Sequence, residues 1–170
     1  DLDSTQDNII ITDSKKISAR KRLIAKDYIV ENAIDYSIAS IDSIVIDQIN
    51  ILQASFRAMH QALDQLQIDV DALLVDGTMF KPYRDKNGEL IPHTCVPQGD
   101  GKYVSIAAAS ILAKVTRDVY MEKLVEEHPD FEVYQWKSNK GYGSAAHIAA
   151  IQQHGLTPYH RKSFVKKYWR

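Results

Sequence analysis

Cysteine is almost absent from this chain: Cys95 is the single one in 170 residues. That excludes an internal disulfide framework and any zinc site built on paired cysteines, and it suits a reducing compartment. Long hydrophobic runs are missing as well, so no transmembrane helix is expected. The start is polar and acidic, unlike the basic-then-apolar pattern of a signal peptide. No membrane partner and a cytoplasmic location are therefore expected. Cys95 has no activating neighbour and no nucleophile-elbow motif occurs, which leaves serine or cysteine hydrolase chemistry without support. His147, His154 and His160 lack the spacing of a zinc site, so helix surface or substrate contact is their expected use. Internal repeats and low-complexity segments are absent.

Acid is missing from one part of the chain. All 22 Asp and Glu residues lie at or before Glu132. Beyond it come only bases: Lys137, Lys140, Arg161, Lys162, Lys166, Lys167 and Arg170. They are interleaved with Tyr134, Trp136, Tyr142, Tyr159, Phe164 and Trp169. Such a segment is either a surface that meets phosphates and sugars or a solvated tail. The net charge of −1 decides nothing between them. Apolar content of 45% and charged content of 25% are those of a soluble globular domain with a real core.

Local patterns give an α/β reading. Thr12 to Ser18 reads as a loop, with Ser18 capping a helix that runs to about Asn32. Tyr36 to Ala39 reads as a short strand. A second helix begins in Ile44–Asn50 and carries an apolar stripe of Ile51, Ala54, Ala58, Met59, Ala62, Leu63 and Leu66. Ala72-Leu73-Leu74-Val75 reads as a strand buried on both faces, with Asp76-Gly77 at its tip. Thr94 to Pro97 reads as another extended segment, and Pro97 marks its end or an edge. A helix from Ser105 continues towards His128-Pro129. Last comes a short helix, His147–His154, with Gly155 as its C-cap.

Two carboxylates stand out. Asp76 sits at a strand tip, where rigid backbone rather than a loop positions it. Asp118 shares a helix face with Ala107, Ile111 and Lys114, and small residues on that face allow close approach to a neighbouring sheet. Hard divalent cations take such oxygen ligands, and paired ions activate water and stabilise a leaving oxygen. The alternatives are an Asx-type turn with Gly77 for Asp76, and pairing with Arg117 or a lysine for Asp118.

Successive blocks then resemble one family. They are Thr12-Asp13-Ser14-Lys15-Lys16-Ile17-Ser18, Ile46 to Ala54, Leu74-Val75-Asp76-Gly77, and Ser105 to Asp118. Lys140-Gly141-Tyr142-Gly143-Ser144, His147 and His160-Arg161-Lys162-Ser163-Phe164 follow in order. Together they resemble ribonuclease HII over nearly the whole chain. The resemblance implies a ribonuclease H-like fold, a mixed sheet flanked by helices. It implies Mg²⁺- or Mn²⁺-dependent cleavage of the RNA strand of RNA–DNA hybrids and of ribonucleotides embedded in duplex DNA. Of the family's four carboxylates, Asp76 and Asp118 match two, as catalytic metal ligands. Tyr142 matches the tyrosine that packs on the sugar at the RNA–DNA junction, where a 2′-OH is read. Ser14 and Lys15 match a phosphate-contacting loop, and Arg161 and Ser163 a substrate-binding block. Asp47 and Asn50 read as structural, a cap and loop tie for the second helix. A monomer is expected, with a catalytic core over 1–130 and a substrate-contacting region over 131–170.

Three departures accompany the resemblance. Gln98-Gly99-Asp100 stands where the family has Lys-Gly-Asp, with Lys102 as a candidate replacement charge. Asn139 replaces a histidine. The family's opening strand, with its Asp-Glu pair and Gly-Arg-Gly turn, has no counterpart in Asp1-Leu2-Asp3. The first strands of the sheet are therefore expected to be missing, and the chain as given to be inactive alone for want of two carboxylates. A non-catalytic hybrid-binding fragment or pseudo-enzyme is the alternative.

Overall fold

A computed structural model of the protein describes residues 9–168. The readings placed on Asp1-Leu2-Asp3, Trp169 and Arg170 lie outside them. In chain order the elements are helices α1 (Ala19–Asn32), α2 (Ser43–Ile49) and α3 (Ile51–Gln65), then strands β1 (Leu73–Asp76) and β2 (His93–Val96). Helices α4 (Val104–Glu127), α5 (Trp136–Asn139), α6 (Ala145–His154) and α7 (Lys162–Val165) follow. These elements divide into two compact units: Asp1–Ala39 with Ala58–Val115, and Ser40–Arg57 with Thr116–Arg170. No helix among the described residues is long and apolar enough to cross a membrane.

The first unit is built around α1 and the first half of α4. Ser18 caps α1 through its hydroxyl, which accepts from the Lys21 amide at 3.3 Å. Ala25 and Ile29 of α1 pack with Ile11, Ile17, Ala107, Ala108, Ile111, Leu112 and Val115. Ile29 and Ile111 are among the fully buried side chains, each contributing about 1.5–3 kcal/mol by leaving water. The small residues of α4 thus pack with α1 and the Ile11–Ile17 segment. Along its face burial fades, from Ala107 and Ile111, both enclosed, to Lys114 and Asp118, both half-buried.

Among the described residues the sheet has two strands, paired in parallel with Asp76 opposite Val96. Burial on both faces of β1 does not hold. Val75 is buried but Leu74 is 44% exposed, because a two-stranded sheet leaves one face uncovered. Tyr36–Ala39 forms no strand either. Its residues do alternate between exposed and half-buried, yet none of the described residues pairs with them in a ladder. Its ties go to the end of α3: the Ser37 hydroxyl donates to the Ala62 carbonyl, and Asp35 Oδ2 accepts from the Gln67 amide at 2.6 Å.

The expected second helix is two helices. Asn50, at φ 66°, breaks the run between Ile49 and Ile51, and its Oδ1 accepts from the Leu52 and Gln53 amides to start α3. The apolar pattern runs through the break because only the backbone of Asn50 turns.

The second unit has its own core of Met121, Leu124, Val125, Tyr134, Trp136, Ala150 and Ile151. Ser144 caps α6 and Gly155, at φ 84°, ends it.

Candidate active site

Parallel pairing brings the carboxyl ends of β1 and β2 to one edge, the place where ligands bind in sheets of this kind. Asp76 ends β1. Its Oδ1 accepts the Gly99 amide at 2.9 Å, tying it to the 3-10 turn Gly99–Gly101 that follows β2. The carboxylate is thus spent on the neighbouring strand's turn rather than on an Asx turn with Gly77. That turn holds Asp100, 9% exposed and the one buried acid among the described residues, with no ion pair reaching it there. Gly99 permits the approach: a Cβ there would lie 2.5 Å from Ile106 Cδ1 and 3.3 Å from Val96 Cβ. The Lys102 ammonium donates to the Pro97 carbonyl at 2.7 Å, so a positive charge does sit on this turn.

Asp100 is the residue that sequence reasoning passed over, noticing its tripeptide only for the lysine it lacks. The available signal was a Gly-Asp-Gly turn directly after a strand. Asp76 and Asp100 offer hard oxygen donors, the chemistry that a Mg²⁺-like ion takes alongside water and substrate phosphate. No group of three or more His, Cys, Asp or Glu converges among the described residues.

Ser14 and Lys15 lie in the same unit. Ser14 is 3% exposed and its hydroxyl pairs with that of Ser110 at 3.0 Å. Arg22 Nη1 donates to the Ser14 and Ile17 carbonyls at 2.7 Å each. This bracing leaves Lys15 and Lys16 as the exposed members of the turn.

The second unit holds Asp118, Tyr142, Arg161 and Ser163. Asp118 is half-buried on α4, and its charge favours the charged form of adjacent Arg117. Tyr142 is 67% exposed on a loop fixed from below. Asn139 donates to the Tyr134 carbonyl at 2.7 Å and accepts from the Gly141 amide at 2.9 Å, so it serves the loop well in place of a histidine. Lys140 pairs with Glu122. His147 Nδ1 lies 2.8 Å from the Tyr142 carbonyl. Ser163 gives both its amide and its hydroxyl to Asp47, which also accepts the Lys162 amide at 2.7 Å. Asp47 therefore caps α7, not the helix that follows it in sequence. The Arg161 guanidinium stacks over Phe164 with Cζ 4.0 Å from the ring centre.

Beneath the loop lies a histidine pair that sequence reasoning left to the helix surface or to substrate contact. Trp136 Nε1 donates to His147 Nε2 at 3.0 Å, and His160 Nε2 lies 3.1 Å from the same atom. His160 Nδ1 accepts the Thr157 amide at 3.0 Å. These partners place the His147 proton on Nδ1, donating to Tyr142, and the His160 proton on Nε2, donating to His147. Burial, with help from His147, pushes the His160 pKa down to about 4.

Comparison with known proteins assigns the family. The ribonuclease HII family model matches residues 3–170. The chain is 52% identical over 157 residues to ribonuclease HII of Christiangramia forsetii, covering 92% of this chain and 75% of that protein. It is 48% identical to ribonuclease HII of Phocaeicola vulgatus over 92% of this chain and 74% of that one. The crystal structure of ribonuclease H2 from Pyrococcus horikoshii shares the fold, with TM-score 0.73 at 22% identity, over 95% of this chain and 81% of that one. The fold is therefore ribonuclease H-like, and the chain belongs to the ribonuclease HII family, enzymes of the ribonuclease H type.

Proposed function

We propose that the protein is an endonuclease that hydrolyses the RNA strand of RNA–DNA hybrids, and ribonucleotides embedded in duplex DNA, with a divalent metal ion, Mg²⁺ or Mn²⁺. The observation that carries this reading is the Asp76 carboxylate bound to the turn that carries buried Asp100, at the carboxyl edge of a parallel strand pair. When bound, the ion would supply a polarised phosphoryl oxygen and a water of lowered pKa. Asp76 and Asp100 would hold it, with Asp118 as the competing ligand that the sequence blocks suggest. Gly99 fixes the first carboxylate and Lys102 balances local charge. Tyr142 offers an exposed ring to a sugar, Lys15 and Arg161 meet backbone phosphates, and Ser14 and Ser163 brace those groups. Residues 131–170 form the substrate-contacting region of a monomer whose catalytic core is 1–130.

Two carboxylates are half of the four that the resemblance calls for, so the 170-residue polypeptide by itself is expected to bind substrate better than it cuts it. The absence of a larger ligand cluster among the described residues favours the second reading, a non-catalytic hybrid-binding fragment. One pair of measurements separates them. Binding of a labelled duplex carrying one ribonucleotide, followed by anisotropy, should strengthen with Mn²⁺ in the wild type and not in Asp76→Asn. Binding indifferent to both Mn²⁺ and Asp76→Asn supports the fragment reading. Mg²⁺-dependent, Asp76-dependent cutting by the purified chain would overturn the expectation of inactivity.

A further inference from the structure

The second unit contains two arginines whose head groups meet no hydrogen-bond acceptor among the described residues. Arg117 and Arg161 both line a cavity of about 210 Å³, together with Met121, Gly141, Tyr159 and Phe164. Two arginines of the first unit are used as braces: Arg22 donates to two carbonyls, and Arg84 to the Gly88 carbonyl at 2.8 Å. By contrast, neither the Arg117 nor the Arg161 guanidinium has a hydrogen-bond acceptor or a carboxylate at ion-pair distance among the described residues. Each instead rests on an aromatic ring, Arg117 5.5 Å from the centre of Tyr120 and Arg161 4.0 Å from that of Phe164. Stacking of this kind fixes the plane and leaves the edge N–H groups for an acceptor lying in it.

The two charges are also neighbours. Burial lowers the Arg117 pKa and the positive charge of Arg161 lowers it further, while burial lowers that of Arg161. Two like charges share one cavity, and with only the Asp118 charge acting on Arg117 and no hydrogen-bond acceptor for either guanidinium among the described residues, an anion would relieve the arrangement. Asp47, the acid whose charge acts on Arg161, is already committed to the Lys162 amide and to the Ser163 amide and hydroxyl. Arg117 lies against the Tyr142 loop: a Cβ on Gly141 would be 3.4 Å from Arg117 Nη2, and Gly141 has φ 80°. A side chain there would intrude on the guanidinium, so the glycine keeps the loop and the arginine close.

We infer that Arg117 and Arg161 together clamp a single backbone phosphate of the nucleic-acid strand, beside the nucleotide whose sugar meets Tyr142. A phosphodiester has two free oxygens, enough to give each guanidinium fork an acceptor. A carboxylate-bearing protein partner fits less well, since the surrounding segment from Val133 on is basic throughout and suits a repeating polyanion. This rests on the reading of the protein as a binder of ribonucleotide-containing duplexes and adds a second arginine and a stoichiometry to it.

The test is binding without chemistry: anisotropy of labelled duplexes in EDTA across a salt series. Arg117→Met and Arg161→Met should each weaken binding about tenfold, and each should reduce the slope of log affinity against log salt by about 0.9, the value of one phosphate. The double variant should reduce it by one phosphate, not two. All-DNA duplex should be affected as much as ribonucleotide duplex, because both carry the phosphate, whereas Tyr142→Ala should erase only the preference between them. A duplex with one neutral methylphosphonate at the clamped position should bind wild type and Arg117→Met alike, a control that leaves the protein intact. A slope change of two phosphates in the double variant, or no methylphosphonate position that equalises the proteins, overturns the clamp. Failure of the wild type to bind any duplex would instead strike the underlying reading.

Discussion

The Gly99 amide donates to Asp76 Oδ1 across 2.9 Å, so the carboxylate at the end of one strand is held by the turn that ends its neighbour. Because Gly99 precedes Asp100 in that turn, one hydrogen bond fixes the relation between the strand tip and the buried acid. The position tolerates no side chain without movement, since a Cβ would stand 2.5 Å from Ile106 Cδ1. Gly99→Ala should therefore shift the turn, weakening Mn²⁺ binding several-fold. Overpacking of this kind costs about 1–3 kcal/mol, which a urea titration will register. Unchanged Mn²⁺ affinity would show that the turn does not set the metal geometry.

Asp100 and Asp118 compete for the role of second ligand, and their surroundings separate them. Asp100 is buried with no ion pair among the described residues, while Asp118 is half-buried on α4 and acts on Arg117. Isosteric Asp→Asn changes remove charge and keep shape. Asp100→Asn should lower Mn²⁺ affinity about tenfold or more, as loss of a charged ligand does, and Asp118→Asn should change it little. Titration of Mn²⁺ by electron paramagnetic resonance reads both, and the reverse ranking would return Asp118 to the site.

Local chemistry made part of this fold readable. Ser18 and Gly155 mark helix ends because caps act within three or four residues of themselves. Asp76 was legible as a strand-tip carboxylate for the same reason. What escaped depends on distant partners. Tyr36–Ala39 has the alternation of a strand, but a strand is defined by the ladder beside it, and none of the described residues supplies one. Asp47 is a capping residue whose helix lies 115 positions away, beyond any local pattern. Asp100 acquires meaning only when β2 pairs in parallel with β1. The histidines look like surface residues in a helix pattern until Trp136 and Thr157 fold onto them.

Asp47 offers a test of long-range capping. Its carboxylate accepts from the Lys162 amide at 2.7 Å, the Ser163 amide at 2.9 Å and the Ser163 hydroxyl at 2.5 Å. Desolvation pushes its pKa up, but the Ser163 and Lys162 hydrogen bonds and the Lys162 charge outweigh it, and the net shift is downward. Asp47→Ala should cost about 1 kcal/mol, the scale of a lost cap, or about 2–4 °C in melting temperature for a chain of this size. Faster hydrogen exchange at the Lys162 and Ser163 amides should accompany it; unchanged exchange there would mean that α7 is held by other contacts.

The histidine pair predicts acid sensitivity with a defined sign. His160 is neutral in the folded protein because burial, reinforced by His147, lowers its pKa to about 4, whereas the unfolded chain takes up the proton near pH 6.5. The unfolded state thus binds more protons between those values. Stability from this group is complete above about pH 6.5 and is lost as pH falls towards 4, by roughly 3 kcal/mol in all. A second proton on His160 would sit on Nδ1, facing the Thr157 amide that now donates to it. Releasing that contact disturbs His147, whose Nδ1 holds the Tyr142 carbonyl at 2.8 Å. Urea midpoints measured from pH 7 to pH 4.5 should fall steadily in the wild type and more gently in His160→Gln. Preference for a ribonucleotide duplex over all-DNA duplex should decline over the same range, because the tyrosine loop loosens with the pair beneath it. A stability profile in His160→Gln as steep as that of the wild type would place the titrating group elsewhere.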